Sequence, residues 1–287
     1  MGKKSKTNKA AVVEQENGSP PSEFFPFARY TSIVGVHTTL LGFTALFLPR
    51  TTELALFELL KPTVDESLLT SRDRPQHPFL DALTLSPAAT LAWLCVGAVV
   101  LQSWWGGWVR SWSIDYALPG AGIKRRVDAP KLPNLASAWL TTVAFSGLFY
   151  TVILLFGAPL GTHIPQTVLL AVLLALLVVF PPAYTFGAPL QAEAATAWVR
   201  VFAEFTTKTP VERALLYPAV GTLVGAWLGA IPIALDWDRP WQAWPLTPAF
   251  GAILGYILAS IAALSASAVY FSAAEHLRSI STKIKTS

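Results

Sequence analysis

Asp236, Trp237, Asp238 and Arg239 set two carboxylates and a guanidinium on four consecutive residues, with Trp241 and Trp244 close behind. An acid–X–acid triplet can hold a divalent cation for phosphate chemistry, as it does in many nucleotide-sugar transferases. Two carboxylates are too few for an all-protein site, because magnesium or manganese would need substrate phosphates or water to complete its shell. Arg239 follows at once and can neutralise either acid, which argues against a strong cation site. Indole rings suit a membrane–water interface, where the ring is half-buried and its N–H stays wet. Anchoring explains the tryptophans but leaves the charges unexplained. Trp and Arg also dominate binding hot spots, so a docking patch or a headgroup-facing rim stands beside the anchor reading.

Other candidate chemistry is thin. His37, His77, His163 and His276 fall in different segments without metal-ligand spacing. His37 lies within an apolar run, where a polar group satisfied inside a bundle is expected, although an ionisable residue at that depth merits a test. Cys95 is the single cysteine, so no intrachain disulfide can form, and it reads as a small packing residue. No nucleophile–base–acid arrangement, phosphate loop or pair of carboxylates within the apolar runs is evident. The residues point to neither a cofactor nor a resident metal.

The segments that position these residues are very apolar. Of 287 residues 53% are hydrophobic and 13% charged, against about 25% charged in soluble domains. Several continuous runs reach the roughly 20 residues that a helix needs to cross about 30 Å of hydrocarbon. Continuity rather than alternation favours helices over a barrel. The reading is an all-α polytopic membrane protein with six transmembrane helices, near Tyr30–Leu48, Ala88–Val109, Ser137–Leu160, Thr167–Leu190, Ala214–Ala234 and Pro248–Phe271. Pro181-Pro182 should kink the fourth span or end its regular helix early. Thr51–Leu60 is too short to cross and could be interfacial or re-entrant.

Residues 1–26 are polar and read as a disordered tail; no apolar stretch directly follows the basic start, so a cleaved signal peptide is not expected. Residues 27–277 form the six-helix domain and 278–287 a short C-terminal tail. Sixteen of the 21 Lys and Arg residues fall on the side shared by both termini, and five on the other. That bias places both termini in the cytosol and the Asp236–Arg239 loop on the exoplasmic or luminal face. The net charge of +4 therefore reports topology and gives no reason to expect a nucleic-acid partner.

Local signals refine the fifth and sixth spans. Thr209-Pro210-Val211-Glu212 reads as a capping box with proline at the first helical position. Glu193–Lys208 has Trp198, Phe202 and Phe205 at helical spacing, with Glu204 and Lys208 as a possible i,i+4 pair, and is expected to lie as a surface helix at the headgroups. Gly221, Gly225 and Gly229 repeat every four residues, as do Gly251, Gly255, Ala259, Ala263 and Ser267. Such stripes allow close backbone approach in lipid. They either zip the two spans together or accept a helix from another protein. The fourth span, with almost no small or polar stripe, is expected to face lipid.

Lys285 and Lys283 stand three and five places from the carboxyl end. This resembles the dilysine signal that coat proteins read to return membrane proteins to the endoplasmic reticulum, an address rather than an anchor. It requires a cytosolic tail, in agreement with the charge bias. The plainer reading is a basic tail beside anionic lipid.

Residues 209–256 combine the capping segment, the glycine stripe with Ala226-Trp227, the Asp-Trp-Asp-Arg-Pro-Trp-Gln loop and the following small-residue span in one order. This region resembles the signature of the PIG-F family, in fungi the glycosylphosphatidylinositol (GPI) anchor biosynthesis protein 11 family. Ile231-Pro232-Ile233-Ala234-Leu235 stands where related sequences often carry Phe-Pro-Ile-Pro-Leu, a mild departure. The resemblance implies a non-catalytic subunit in the endoplasmic reticulum membrane that binds and stabilises the GPI ethanolamine-phosphate transferases for the third and for the second mannose. The residues themselves make Asp236, Trp237, Asp238, Arg239, Trp241 and Trp244 candidates for partner or lipid-headgroup contact, and Gly221, Gly225, Gly229, Gly251, Gly255 and Ala259 candidates for helix packing. The alternatives are a lipid-handling subunit that positions a membrane lipid, and a transferase that uses the acidic triplet itself.

Overall fold

Apolar runs this long must satisfy every backbone N–H and C=O internally, and a helix does so. The computed structural model of the protein describes residues 27–51, 77–117 and 131–286. These hold α1 (Phe27–Phe47), a short α2 (Pro78–Thr84), α3 (Pro87–Ala117), α4 (Lys131–Leu155) and the consecutive pair α5 (Ile164–Val178) and α6 (Phe180–Phe186). Then come a short α7 (Ala192–Trp198) that runs into a π turn (Val199–Ala203), α8 (Pro210–Ala230) and α9 (Leu246–Thr286). No strand occurs among the described residues. Among the described residues six helices are long and apolar enough to cross a membrane, with α5 and α6 counted as one span. Residues 1–26 and 52–60, read above as a tail and an interfacial piece, lie outside the described residues.

Pro181-Pro182 acts where expected. α5 ends at Val178, Val179 departs to φ −104°, and α6 restarts at Phe180 with the prolines in its first turn. Prolines are tolerated there because first-turn N–H groups have no helical acceptor. Cys95 is buried, with its Sγ 3.4 Å from the Leu169 carbonyl oxygen across the α3–α5 contact. Two spans run longer than their apolar cores. α3 continues past Val109 because Arg110 finds partners: its Nη1 donates to the Tyr184 carbonyl at 2.7 Å and its guanidinium lies over the Tyr184 ring. α9 is one unbroken helix of 41 residues. At about 1.5 Å per residue it is roughly twice the length of a hydrocarbon core, so the segment 278–286 is the end of this helix.

The placement of the fourth span corrects the lipid-facing expectation. α5 is the most buried of the spans and packs against α3, α4, α8 and α9. Leu173, Leu174, Leu176 and Leu177 all lie in the interior. A helix that is apolar all round suits a surrounded position; lack of a polar stripe does not distinguish lipid from protein neighbours. The main core joins α1, α3, α5 and α9 through Leu41, Leu91, Leu94, Leu173, Ile253 and Tyr256.

The most extensive helix pair is α8 with α9, and its seam is the two glycine stripes facing one another. A Cβ on Gly225 would overlap the Gly251 carbonyl oxygen and sit 3.1 Å from the Gly255 Cα. A Cβ on Gly255 would overlap the Gly221 oxygen, and one on Gly229 would sit 2.9 Å from the Pro248 Cα. At Gly221 the overlaps are with the Ala259 methyl and the Gly255 carbonyl oxygen. Backbone meets backbone along the whole seam, which closes both stripes to an outside helix at that depth.

Gly225→Leu must force the pair apart, at a cost of at least about 1–3 kcal/mol for overpacking. Gly35→Ala meets nothing within 4 Å and gains about 0.5–1 kcal/mol of helix propensity. Thermal melting in detergent should therefore fall sharply for the first variant and hold or rise for the second. Equal melting of Gly225→Leu and the parent would disprove the seam.

Candidate functional site

The loop between α8 and α9 is short and tied to itself. Ile231–Ala234 and Pro240–Gln242 each form a 3-10 turn, and the chain between them carries the acidic triplet. Gln242 is the knot. Its Oε1 accepts from the Arg239 backbone N–H at 2.7 Å, and its Nε2 donates to the Pro232 and Leu235 carbonyls at 2.6 and 2.8 Å. One side chain thus holds both arms of the hairpin together. Asp238 adopts a left-handed backbone, φ +46°, a region that Asp tolerates better than most residues because its short polar side chain can bond locally.

The hairpin divides the sequence-predicted residues into two groups. Asp236, Trp237 and Asp238 are exposed, whereas Arg239, Trp241 and Trp244 are partly buried. Trp237 and Trp241 pack edge-to-face, 5.7 Å between ring centroids. Trp244 turns inward and its Nε1 donates to Thr167 Oγ1 at 2.9 Å, fixing the hairpin base to the start of α5. α2 packs beside the Pro240–Gln242 turn, with His77 as its cap: Nδ1 accepts from the Phe79 N–H at 3.1 Å. No ion pair joins Arg239 to Asp236 among the described residues. Gln242 and Thr167 carry no recognisable motif, so their part in holding the hairpin had no sequence signal. No group of three or more His, Cys, Asp or Glu side chains suited to a metal is found among the described residues.

The other end of α8 is fastened by charge. Thr209 Oγ1 accepts from the Glu212 N–H and the Glu212 carboxylate accepts from the Thr209 N–H, the expected capping box. Glu212 also binds the Arg200 guanidinium in a two-point pair at 2.8 and 2.9 Å, and accepts from the Lys208 N–H at 2.6 Å. The bond to Glu212 raises the Arg200 guanidinium above its ordinary range. The Glu204–Lys208 pair expected from spacing is absent, because the π turn ends the helix at Ala203 and Phe205 takes a left-handed backbone, φ +53°. The helix read over Glu193–Lys208 thus covers Ala192–Ala203 and stops short of Lys208. Trp198 Nε1 donates to the Gly187 carbonyl, its ring packs against Phe202 and Phe145, and only Phe205 of the three aromatics is exposed.

His37 is not satisfied by a hydrogen bond as expected. Its ring stacks on Trp105 at 5.0 Å and meets Tyr256 edge-on at 5.6 Å. His37 Nε2, Gln102 Nε2 and Trp105 Nε1 are all buried without a hydrogen-bond partner among the described residues. Tyr256 donates its hydroxyl to Gln102 Oε1 at 3.3 Å. α1, α3 and α9 therefore enclose a polar cluster held chiefly by ring contacts. Lys283 sits on the exposed last turns of α9, and Lys285 belongs to the same helix.

Gln242→Ala removes three hydrogen bonds and leaves two carbonyls and an N–H to find water. It should cost about 1–3 kcal/mol locally and speed amide hydrogen exchange across residues 235–243. Asp236→Asn, on an exposed side chain, should leave exchange unchanged. Equal protection in Gln242→Ala and the parent would remove Gln242 from its organising role.

With this geometry in place, similarity to known proteins becomes informative. A Pyricularia oryzae protein, glycosylphosphatidylinositol anchor biosynthesis protein 11, is 41% identical over 146 residues, 50% of this chain and 52% of its own length. The mouse GPI ethanolamine phosphate transferase, stabilizing subunit, is 31% identical over 169 residues, 59% of this chain and 73% of its own length. The human protein of the same description is 32% identical over 170 residues, covering 58% of this chain and 72% of its own length. This chain thus spans about half the length of the fungal relative and nearly three quarters of the mammalian ones. No solved structure matches. The profile of the GPI biosynthesis protein family Pig-F matches residues 76–264, from the approach to α2 to the middle of α9; the chain belongs to that family.

Proposed function

We propose that this protein is a non-catalytic membrane subunit that binds and stabilises GPI ethanolamine-phosphate transferases in GPI-anchor biosynthesis. The observation that carries this reading is the alignment with the mouse and human stabilizing subunits across nearly three quarters of their length. The geometry supports it in a specific way. The glycine seam is filled by the protein's own helices, so a partner must use other surfaces. The hairpin offers one of them: exposed Trp237 and two exposed carboxylates on a loop made rigid by Gln242. The outward face of α8 offers another, with Trp227 62% exposed beside Leu223 and Leu228.

In this reading the partners are the transferases for the third and for the second mannose. The protein resides in the endoplasmic reticulum membrane with both termini cytosolic, and Lys283 and Lys285 serve as its retrieval signal. The hairpin then faces the lumen, where it contacts the transferase and helps to position a lipid headgroup.

The tagged chain, purified from mild detergent, should carry a stoichiometric ethanolamine-phosphate transferase with activity. Replacing Trp237 and Trp241 together by Ala should lower transferase recovery about fivefold or more, the effect of losing one hot spot, with expression unchanged. Full recovery would place the partner elsewhere, and ethanolamine-phosphate transfer by the isolated chain would overturn the non-catalytic reading. Topology has its own test in sealed microsomes carrying Cys95→Ala. Asp238→Cys should react with an impermeant maleimide only after permeabilisation, and Ser281→Cys without it; the reverse pattern would invert the orientation.

A further inference from the structure

Where α8 begins and α9 runs into its charged end, a cavity of about 210 Å³ opens between α3, α8 and α9. Lys208, Arg213 and Arg278 line it together with Tyr116, Ser267 and Tyr270. Arg213 in its wall is only 8% exposed. Its Nε donates to Ser267 Oγ at 3.0 Å, and its guanidinium carbon lies 4.8 Å from the centroid of the Tyr270 ring. Its remaining N–H groups have no protein acceptor among the described residues.

Neither Glu212 nor Glu275 supplies the missing charge to Arg213. Glu212, next in the chain, is committed to Arg200 and to the backbone of Lys208 and Thr209. Glu275 lies 3.8 Å from Arg278 and is not in the cavity wall. A buried cation without a counterion is costly unless something pairs with it. The guanidinium fork matches a phosphate oxygen pair, and a lysine adds a point charge. The aromatic and aliphatic walls suit the glycerol and ester part of a lipid, and the position at the end of two spans is headgroup depth.

We infer that this cavity binds a phosphate-bearing anion, with Arg213 as its principal ligand and Lys208 and Arg278 at its rim. The site is separate from the hairpin, at the opposite end of α8. Its anion comes either from a phospholipid headgroup or from free phosphate.

The test is calorimetric titration of the full chain in maltoside micelles with dioctanoyl phosphatidic acid, dioctanoylglycerol and inorganic phosphate. Phosphatidic acid should bind saturably, and Arg213→Gln should weaken it about tenfold, the worth of one charge-assisted contact. Inorganic phosphate that binds as tightly and competes assigns the site to free phosphate. Phosphate that binds at least tenfold more weakly assigns it to a lipid. Equal binding of dioctanoylglycerol and phosphatidic acid overturns the inference, as does unchanged affinity in Arg213→Gln. Should Arg213→Gln fail to fold, exposed Lys208 decides: about a threefold loss in Lys208→Gln supports the site, and no loss overturns it.

Discussion

The contact on which the rest of the structure depends is backbone against backbone, where Gly221, Gly225 and Gly229 of α8 meet Gly251 and Gly255 of α9. Lipid tails are as apolar as leucine, so helices in a bilayer gain little by burying ordinary apolar side chains and must gain by close packing. Glycine costs helix propensity, and five of them on one seam, with only the Ala259 methyl facing Gly221, remove the side chains that would hold the two axes apart. The approach is close enough that a Cβ at any of these five glycines would overlap the facing backbone. It also dictates that the connecting hairpin is short and that the two helices leave the seam side by side.

Both ends of this pair are fastened by polar side chains rather than by more apolar contact. At the hairpin, Gln242 bonds to three backbone groups and Trp244 reaches across to Thr167. At the other end, Glu212 gathers Arg200, Lys208 and the cap of α8, while Arg213 reaches Ser267 on α9. Ser267 is the last small residue of the α9 stripe. The same four-residue repeat that admits a backbone at Gly255 admits a guanidinium at Ser267. One periodic feature thus serves packing in the middle of the span and polar recognition at its end.

Most of the architecture was legible because its causes are local. Six long apolar runs, the Pro181-Pro182 break and the Thr209–Glu212 cap follow from residues close together in the chain. What was not legible depends on neighbours far away in sequence. α5 is central because other helices surround it, and its composition would read the same in lipid. Arg200 finds Glu212 rather than the Glu204–Lys208 pairing that spacing alone favours, since the π turn removes the helical geometry on which that spacing relies. The hairpin's charged and aromatic residues were evident; Gln242 was not, because a glutamine carries no motif until its partners are placed around it. His37 was evident as an intramembrane polar group, but its aromatic surroundings and unpartnered Nε2 emerge only when α1, α3 and α9 are brought together.

The central claim is that this protein stabilises a transferase rather than performing the transfer. The most direct measurement is the lifetime of the ethanolamine-phosphate transferase in cells after this protein is depleted, followed by pulse-chase labelling. The account predicts rapid loss of the transferase, with its lifetime restored by the intact chain and not by a chain whose α8–α9 seam is forced open. A transferase that persists and stays active without this protein would contradict it.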